Sequence, residues 1–515
     1  VMGLTVSGLF TLAIRFGWRM LRYVRQHLVG LSHPNYQENV LIIGAGEAGK
    51  ALITEFTNSA YIKSRVCCLI DDNPVKWGKR LGGVPIVGGR NEIAAAVEKY
   101  SIHRIIYAIP SGSAQTRKEI LDICSTTGCQ VQVVPGIYQL VNGDISVSGL
   151  RKVDVQDLLG RDPIKVNLDE ILNFISGKVV MVTGGGGSIG SELCRQLAGY
   201  KPKDLVIFDI YENNAYAIEQ ELKNNYPDLT THVLIGSVRD EKRMDAVMAK
   251  YRPAMVYHAA AHKHVPLMET SPLEAVKNNV FGTYNTARAA AKYGVEHFVL
   301  ISTDKAVNPT NVMGASKRIC EMVVQSMAGT SDTCFAAVRF GNVLGSNGSV
   351  IPLFREQIKK GGPVTVTHPE ITRFFMTIPE ACRLVMEAAT MSTGNQIFVF
   401  DMGESVKIDT LARRMITLAG FVPDKDIMIE YTGLRPGEKL YEEVLSNKEN
   451  TDPTSHDRIR IAKVREYEHQ KAKEVMTELE RLSIVVEIPE MVKLMKTTVP
   501  EFISKNSQFE QYDKQ

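Results

Sequence analysis

The chain has 515 residues, of which 44% are hydrophobic and 23% charged, and its formal net charge at pH 7 is +3. This length predicts two or three domains, and the composition is that of a globular α/β protein. The small net charge argues against nucleic-acid binding. The 8 cysteines form no Cys-x-x-Cys pair, which argues against a disulfide framework and against a metal site.

Residues 1–35 are predicted to be the end of a membrane span followed by a juxtamembrane helix. The stretch Val1–Ile14 is apolar, but it is shorter than the roughly 20 residues that a complete span requires. Four arginines without an acidic neighbour follow it, as is typical of the cytoplasmic side of a span: Arg15, Arg19, Arg22 and Arg25. An amphipathic surface helix is the alternative. We therefore expect attachment to the cell inner (plasma) membrane, with the catalytic domains on its cytoplasmic side.

Residues 36–150 alternate between apolar strands and helices, which predicts an N-terminal Rossmann-like nucleotide-binding domain. Gly44-Ala-Gly-Glu-Ala-Gly49 follows a predicted strand and opens a helix, and Asp71 lies 22 residues beyond it at the end of the next strand. This combination is typical of dinucleotide binding. No catalytic constellation follows up to residue 150. The preferred interpretation is therefore a domain that binds no dinucleotide or whose site is regulatory.

The rest of the chain is predicted to contain a connector at 151–178 and a second Rossmann-like unit at 179–450. The NAD-binding part of this unit extends to about residue 344, and a smaller substrate lobe covers mainly 345–450. An extension at 451–515 ends in a polar stretch from Lys505 onward that we expect to be mobile. The predicted fold class is α/β, with two tandem Rossmann-like doubly wound parallel sheets, the second with the smaller C-terminal lobe.

A second glycine-rich turn, Thr183-Gly-Gly-Gly-Gly-Ser-Ile-Gly190, predicts a cofactor site. Its glycines let the backbone approach a pyrophosphate at the start of a helix. Asp209 ends the next predicted strand, and a carboxylate there binds a ribose hydroxyl and repels a 2′-phosphate, which favours NAD over NADP. The predicted cofactor-binding residues are Gly184, Gly187, Ser188, Ile189, Gly190, Asp209, Arg239, Asp240, Ala259, Ala260 and Lys317.

The segment Ile301–Lys317, with the sequence ISTDKAVNPTNVMGASK, carries the candidate catalytic residues. Met313-x-x-x-Lys317 has the spacing of the Tyr-x-x-x-Lys pair of short-chain dehydrogenases, with methionine in place of the tyrosine. Thr303, Asp304 and Lys305 precede it at the end of a predicted strand, where open α/β sheets bind their ligands.

On these motifs the chain resembles the extended short-chain dehydrogenase/reductase superfamily. More narrowly, it resembles the membrane-anchored UDP-N-acetylglucosamine 4,6-dehydratases of polysaccharide biosynthesis, over nearly its whole length. Further motifs that carry the resemblance are Asp157-Leu-Leu-Gly-Arg-Asp-Pro163, His258-Ala-Ala-Ala-His-Lys-His-Val-Pro266, Arg339-Phe-Gly-Asn-Val343 and Leu434-Arg-Pro-Gly-Glu-Lys439. The resemblance implies a dehydration with tightly bound NAD as hydride carrier. The sugar is oxidised at C4, a base removes the C5 proton, an acid helps the C6 hydroxyl leave as water, and C6 is reduced.

The resemblance implies that Lys317 binds the nicotinamide ribose. Asp304 is the candidate acid at C6 and Lys305 the candidate base at C5. Since a lysine base must be largely neutral, we expect Lys317 and the oxidised nicotinamide to depress its pKa by like-charge repulsion. Met313 cannot accept a proton. The role of the tyrosine at the C4 hydroxyl can be taken by Thr303, by a water or by Lys305. Otherwise hydride transfer is slow. Thr303 is the preferred hydrogen-bonding partner of the C4 hydroxyl.

The predicted substrate-binding residues lie mainly in the C-terminal lobe. Arg373 and Arg435 can each hold a phosphate through two hydrogen bonds, and Glu438 a ribose hydroxyl, which suits a diphosphate sugar. Arg339 is expected near the sugar nucleotide, where the family contacts it. The predicted set is His262, Lys263, Asn342, Arg373, Arg435 and Glu438. For the histidines, a structural role is preferred over substrate binding. For Arg373 and Arg435, the alternative to phosphate binding is that they are ordinary surface residues in loops.

The leading functional prediction is dehydration of UDP-N-acetylglucosamine to UDP-2-acetamido-2,6-dideoxy-hexos-4-ulose for surface polysaccharide or glycoprotein glycans. The N-acetyl group is implied by the resemblance alone. A UDP-sugar C4 epimerase is an alternative, although epimerases of this fold depend on the tyrosine that is Met313 here. A non-catalytic nucleotide-binding partner of a membrane glycan assembly is another. We expect a homo-oligomer. The sequence leaves open whether the configuration at C5 is retained or inverted.

Overall fold

The computed structural model describes residues 38–59, 62–134, 147–158, 164, 166–443, 450–465 and 467–513. These residues divide into two compact units, one within residues 1–162 and one formed by most of the remainder. The predicted membrane segment at 1–35 lies outside the described residues. Within the described ranges, no helix is long and apolar enough to cross a bilayer.

The first unit is a doubly wound sheet with mostly parallel strands. Its strands are β1 (Glu38–Ile43), β2 (Ser64–Ile70), β3 (Arg80–Leu81), β4 (Val84–Gly88), β5 (Arg104–Tyr107), β6 (Gln130–Val133) and β7 (Arg151–Lys152). They form one sheet in the order β3-β4-β2-β1-β5-β6-β7, in which only the β3–β4 and β6–β7 pairs of the described strands are antiparallel. The helices are α1 (Glu47–Asn58), α2 (Ile93–Tyr100) and α3 (Ala114–Ser125).

Strand β1 shows why this sheet is covered on both faces. Leu41 and Ile43 enter one hydrophobic core, whereas Val40 and Ile42 enter a second one. Because neighbouring side chains of a strand point to opposite faces, a continuous apolar run requires helices on both sides of the sheet. The apolar runs in the sequence therefore predicted this architecture.

The second unit contains a longer sheet and a lobe of short strand pairs. Its strands are β8 (Val179–Thr183), β9 (Asp204–Asp209), β10 (Thr230–Ile235), β11 (Met255–His258), β12 (His297–Ile301), β13 (Cys334–Arg339), β14 (Asn342–Val343), β15 (Val364–Val366), β16 (Thr372–Arg373), β17 (Phe375–Met376), β18 (Gln396–Phe400), β19 (Val406–Lys407), β20 (Ile429–Tyr431), β21 (Thr451–Pro453) and β22 (Ile459–Ala462). The long sheet has the order β10-β9-β8-β11-β12-β13-β18-β22-β21 and is parallel from β10 to β18. The lobe pairs β14 with β17, β15 with β20 and β16 with β19. The predicted α/β fold class with two doubly wound sheets is confirmed.

The helices of the second unit cover both faces of the long sheet. They are α4 (Leu168–Ile175), α5 (Ser188–Gly199), α6 (Glu212–Asn225), α7 (Glu241–Tyr251), α8 (Val265–Thr270), α9 (Pro272–Ala275), α10 (Gly282–Tyr293), α11 (Val312–Ser326), α12 (Val350–Lys359), α13 (Ile378–Met391), α14 (Ile408–Leu418), α15 (His469–Ile484) and α16 (Ile488–Thr498). A π-helical stretch, Val276–Phe281, leads into α10. Two hydrophobic cores result, one on each side of the sheet.

Two parts of the second unit differ from the sequence expectation. Strand β18, which lies within the predicted substrate lobe, is instead the seventh strand of the long sheet, and β22 and β21 of the predicted extension continue that sheet in antiparallel fashion. The sequence of β18, Gln-Ile-Phe-Val-Phe, is a short apolar run whose partner strand is not evident from local pattern.

Helix α11 is buried along all 15 of its residues. The helices α15 and α16 pack on it, and Met476, Leu479, Val492 and Met495 share its hydrophobic core. A helix that is enclosed on every side needs apolar residues around its whole circumference. The segment Val312–Ser326 carries such residues on several faces, so its position at the centre of the unit follows from its composition.

Residues 505–513, which belong to the polar stretch from Lys505 onward that we expected to be mobile, are instead hydrogen-bonded and packed. The backbone N–H of Ile503 donates to the carbonyl of Pro309, and the N–H of Lys505 donates to that of Thr310. Phe509 is buried in the core, within a short 3₁₀ helix that Ser507 caps. The hydrogen-bonded backbone and one buried aromatic ring hold this segment against the chain that leads into α11.

Candidate active site

The turn between β8 and α5 can be formed only by glycine at two of its positions. A Cβ atom at Gly190 would lie 2.0 Å from the backbone oxygen of Gly184. Gly184 itself has φ +67°, and its Cβ would lie 2.7 Å from the backbone nitrogen of Ala260. The start of α5 therefore packs directly on the strand end. This arrangement presents backbone N–H groups and the positive end of the helix dipole to a phosphate.

Asp209 holds this turn from the end of β9. One carboxylate oxygen accepts a hydrogen bond from Gly186 N at 2.8 Å, and the other accepts one from Tyr211 N at 2.8 Å. Each oxygen retains a second lone pair for a ribose hydroxyl. Asp71 of the first unit makes the same two contacts, to Ala45 N at 2.8 Å and Asn73 N at 3.0 Å. The two glycine turns of the chain are thus built alike.

In the first unit, however, Asp71 has a further partner. Lys76 Nζ lies 2.8 Å from the carboxylate oxygen that holds the turn, and this ammonium lowers the pKa of Asp71 against the opposing effect of burial. The interpretation that the first unit binds no dinucleotide, or that its site is regulatory, stays a prediction.

Several other residues predicted to bind the cofactor have protein partners around the turn. Asp240 caps α7 by accepting a hydrogen bond from Arg243 N at 3.0 Å, and Arg239 forms an ion pair with Glu274 at 2.8 Å. Ser188 Oγ accepts a hydrogen bond from Asn347 N at 3.2 Å. These contacts fix the rim of the predicted site before any ligand binds.

His258, the last residue of β11, is a buried neutral imidazole. It lies between the hydroxyls of Thr183, at 2.7 Å, and Thr283, at 3.0 Å. Burial, together with the nearby charge of Lys317, lowers the pKa of His258 to about 3. The ring therefore carries no charge at neutral pH. Its two hydrogen bonds tie β8 to α10, which is a structural role.

The Thr303–Lys305 segment lies at the carboxyl end of β12, as the sequence predicted. Asp304 is only 1% exposed. Its Oδ1 accepts hydrogen bonds from Thr303 Oγ1 at 2.8 Å and from Lys305 Nζ at 3.2 Å. Its Oδ2 is also buried, yet no hydrogen-bond donor among the described residues reaches it. A buried carboxylate oxygen without a donor is costly, and a proton on that oxygen removes the cost.

Glu442 is the residue of this site that the sequence analysis missed. Its side chain is 3% exposed and its Oε1 lies 2.8 Å from Lys305 Nζ. The same oxygen is 3.1 Å from Arg373 Nε, and Oε2 accepts a hydrogen bond from Asn342 Nδ2 at 2.9 Å. Asn342 Oδ1 in turn accepts from Lys305 Nζ at 3.1 Å. A carboxylate of the substrate lobe is therefore bonded to a candidate catalytic residue of the sheet.

The electrostatics of the triad Asp304, Lys305 and Glu442 correct one expectation. Burial and the Glu442 carboxylate raise the pKa of Asp304 to about 7. Burial lowers the pKa of Lys305, but the carboxylates of Asp304 and Glu442 outweigh that effect, and its net shift is upward. The expectation of a depressed pKa at Lys305 was wrong. Two carboxylates lie within hydrogen-bond distance of the Lys305 ammonium, and their attraction makes its net pKa shift upward.

The other two residues of the predicted catalytic set are deeply buried. Met313 is 2% exposed and belongs to the hydrophobic core, so it offers no proton-transfer group. Lys317 is 4% exposed, and burial lowers its pKa. Thr303 Oγ1, which donates to Asp304, is hydrogen-bonded to the candidate acid and remains the predicted partner of the C4 hydroxyl.

A cleft opens beside this triad, and four of the six predicted substrate residues line it. Its walls include Lys305, Asn342, Arg373, Arg435, Glu438 and Glu442. Glu438 holds both arginines, with Oε1 3.2 Å from Arg373 Nη2 and 3.0 Å from Arg435 Nη2. The Arg435 side chain is 58% exposed, so it is free to move toward a ligand. The cleft has the two guanidinium groups expected of a diphosphate site.

Three further residues of the predicted motifs lie in different surroundings. Lys263 Nζ approaches Ser346 Oγ at 3.3 Å, and burial together with the charge of Lys305 lowers its pKa. His262 is held through its backbone N–H, which donates to Asn279 Oδ1 at 2.8 Å. Arg339 has no exposed surface and binds Glu321 with two nitrogens, each at 2.7 Å. The expectation that Arg339 reaches the sugar nucleotide was therefore wrong.

Comparison with known proteins identifies the family of the chain. A family model described as "Polysaccharide biosynthesis protein" matches residues 180–464. The capsular polysaccharide biosynthesis protein CapD of Staphylococcus aureus is 47% identical over 430 residues, which are 83% of this chain and 72% of CapD. The chain belongs to the polysaccharide biosynthesis protein family. A second model, described as "CoA-binding domain", matches residues 4–135.

This polysaccharide biosynthesis protein is also similar to named enzymes. A UDP-N-acetylglucosamine 4,6-dehydratase (inverting) of Campylobacter jejuni is 34% identical over 282 residues, 54% of this chain and 80% of the enzyme. A UDP-glucose 4-epimerase of Rickettsia rickettsii is 36% identical over 281 residues, 53% of this chain and 79% of the enzyme. The X-ray structure of Pen from Bacillus thuringiensis matches with a TM-score of 0.53 and 35% identity, covering 57% of this chain and 92% of Pen. This family member is thus related to enzymes that modify nucleotide sugars.

Proposed function

We propose that this protein catalyses the NAD-dependent 4,6-dehydration of UDP-N-acetylglucosamine. The product is UDP-2-acetamido-2,6-dideoxy-hexos-4-ulose, a precursor for surface polysaccharide or glycoprotein glycans. The observation that carries the proposal is the pairing of a lysine with a buried carboxyl whose pKa is raised to about 7, at the end of β12 and beside an arginine-lined cleft. Elimination of water needs an acid and a base on one sugar, whereas epimerisation needs no acid at C6.

NAD is the cofactor in this proposal, because the turn between β8 and α5 fits its pyrophosphate and Asp209 fits its ribose diol. When bound, NAD supplies reversible hydride transfer at C4 and C6 of the sugar. Lys317 lies on α11 with its charge close to His258, and it binds the nicotinamide ribose in this proposal. Because Met313 cannot accept a proton, the C4 hydroxyl of the sugar hydrogen-bonds to Thr303 in this proposal. The Thr303 hydroxyl accepts this hydrogen bond and donates its own to Asp304.

Asp304 and Lys305 perform the elimination. The proton on Asp304 Oδ2 passes to the C6 hydroxyl, which leaves as water. Lys305 takes the proton from C5, after it has lost the proton that makes it an ammonium in the resting site. Arg373 and Arg435 bind the diphosphate, and both lie on the wall of the same cleft as Lys305. Binding of the diphosphate by these arginines sets which carbon of the sugar faces the triad.

The test is incubation of the purified protein with UDP-N-acetylglucosamine in deuterated water, without added NAD, followed by mass spectrometry and proton NMR. We expect loss of one water, a C4 ketone and deuterium at C5, with the C5 configuration read from the same spectra. Formation of the C4 epimer without loss of water would replace the proposal by epimerisation. No turnover with NAD and other nucleotide sugars added would favour a non-catalytic binding protein.

We further propose that residues 1–35, outside the described range, attach the protein to the inner (plasma) membrane with its catalytic unit on the cytoplasmic side, and that it acts as a homo-oligomer. The arginine series after the apolar stretch supports the membrane part. A chain that contains residues 1–35 is expected in the membrane fraction after centrifugation. A chain that lacks them is expected in the supernatant. Recovery of both in the supernatant would contradict attachment.

A further inference from the structure

Glu442 is not part of any motif that the sequence analysis assigned to catalysis, yet it is the most connected side chain of the site. It binds Lys305 from the sheet and Asn342 and Arg373 from the lobe, all within 3.1 Å. Its side chain is almost entirely buried. A buried carboxylate with three such partners is held in one position, and its negative charge, together with burial, raises the pKa of Asp304.

Two carboxyl groups lie next to the same Lys305 nitrogen, Asp304 at 3.2 Å and Glu442 at 2.8 Å, and repulsion between two carboxylates favours a proton on one of them. Asp304 Oδ2 is buried and no donor within the described part of the chain reaches it, so it is the oxygen that a proton relieves. Glu442 has three cationic or amide donors and needs no proton. The two acids thus divide into one neutral and one charged group.

Lys305 presents the complementary problem. Its ammonium has three acceptors, Glu442 Oε1 at 2.8 Å, Asn342 Oδ1 at 3.1 Å and Asp304 Oδ1 at 3.2 Å. An ammonium satisfied in this way has no lone pair with which to remove a proton from carbon. Of the three acceptors, Glu442 is the ionised carboxylate at the shortest distance, so it fixes where the Lys305 nitrogen lies.

We propose that Glu442 is a positioning residue of this site, which holds Lys305 in place through their ion pair and keeps Asp304 in its protonated form through its negative charge. The proposal rests on the proposed dehydration. Glu442 touches neither the sugar carbons nor the cofactor in this scheme. It acts through the two residues that do, and this role also explains why an acid of the substrate lobe reaches the end of β12.

The proton count closes over one turnover. Lys305 releases one proton to solvent before it acts, and the free amine then takes the C5 proton and becomes an ammonium. This ammonium exchanges with solvent and gives a proton back to C5 when C6 is reduced. Asp304 gives its proton to the departing C6 hydroxyl, forming water, and takes another from solvent. That proton is balanced by the one that the C4 hydroxyl releases to solvent on oxidation.

The charges that face this triad come from three elements. Arg373 of β16 and Lys439 of the loop after β20 approach from the lobe, and Lys263 approaches from the loop after β11. All three are cations, and each favours an ionised carboxylate nearby. Glu442 is the anion that opposes them at Asp304. Removal of its charge therefore shifts the balance toward an ionised Asp304.

The experiment is the substitution Glu442→Gln, with Glu443→Gln as the matched control. Glutamine keeps the volume and the hydrogen-bonding capacity but cannot supply the negative charge. Glu443 is exposed and accepts a hydrogen bond from Asn308 at 2.7 Å. For Glu442→Gln we expect kcat to fall about 100-fold or more with NAD retained, and the alkaline limb of the pH–rate profile to move to lower pH. Glu442→Asp should restore part of kcat, whereas Glu443→Gln should match the parent protein.

A second readout does not depend on turnover. The substitution Asp304→Asn is expected to raise the melting temperature at pH 8, and this gain should largely disappear when Glu442→Gln is already present. An undiminished gain in that background, or a kcat of Glu442→Gln within about threefold of the parent, would overturn the role of Glu442. If the parent protein forms no 4-keto product but the thermal cycle behaves as expected, the proposed reaction fails while the coupling between the two carboxyls stands.

Discussion

The substitution Asp304→Asn is expected to abolish dehydration and, at the same time, to make the protein more stable at pH 8. The loss follows because the asparagine amide has no acidic proton to give to the C6 hydroxyl, and we expect product formation to fall about 10³-fold. The gain follows because the amide stays neutral in this buried site, whereas Asp304 must lose its proton near the Glu442 carboxylate at high pH. Mass spectrometry of the product and calorimetric melting of the same preparations measure the two effects.

The sign of the stability change follows from proton binding. The pKa of Asp304 is raised in the folded protein to about 7, from an ordinary value of 3.8. The folded chain therefore holds a proton that the unfolded chain has already released, and the stability of the parent falls as pH rises from about 4 to about 7. Above about pH 7 the folded protein carries the full loss of stability that the raised pKa of Asp304 causes. We expect the advantage of Asp304→Asn to be roughly 1–3 kcal/mol at pH 8 and close to zero at pH 4. A variant that melts lower than the parent at pH 8 would contradict this interpretation.

The substitution Gly190→Ala is expected to have the largest effect on the cofactor site. The new Cβ would lie 2.0 Å from the backbone oxygen of Gly184, so α5 must move away from the strand end. We expect a loss of about 3 kcal/mol in the free energy of unfolding and purification without NAD. The ultraviolet spectrum and mass analysis of released nucleotide measure the second effect.

The matched control for this substitution is Gly199→Ala in the same helix. A Cβ at Gly199 meets only the hydroxyl of Tyr226, at 3.7 Å, which is an ordinary contact. Alanine also has the higher helix propensity. This variant should retain both stability and bound NAD. Retention of NAD by Gly190→Ala as well would show that the turn tolerates a side chain and that the phosphate does not lie where we place it.

The sequence predicted those features that local pattern determines. The glycine turns, the acids that end the following strands, and the position of Thr303–Lys305 all depend on residues that are close together in the chain. Glu442 could not be found in this way. It lies well over 100 residues beyond Lys305, in the unremarkable stretch Tyr441-Glu442-Glu443, and only the folding of the lobe onto the sheet brings it to Lys305. The pKa of Lys305 was misjudged for the same reason.

Arg339 illustrates the opposite error. Its place in an Arg-Phe-Gly-Asn motif after a strand suggested contact with substrate, because arginine is usually exposed. Its partner, Glu321, lies on α11 and pairs with Arg318 as well, so the buried charges are compensated within the protein. Pairing between residues of different elements is decided by tertiary packing, and a pattern of spacing in one sequence does not reveal it.

The enclosure of α11 has a consequence for the order in which the protein is made. The helices that cover α11 begin at His469, about 140 residues after α11 ends, and the contact of Lys505 with Gly437 at the cleft comes later still. At about 5–20 residues per second, a ribosome releases α11 roughly 7 to 30 s before its cover. During synthesis the catalytic helix is an apolar surface open to chaperones. The catalytic unit therefore matures as a late step, and it cannot acquire activity progressively as the chain emerges.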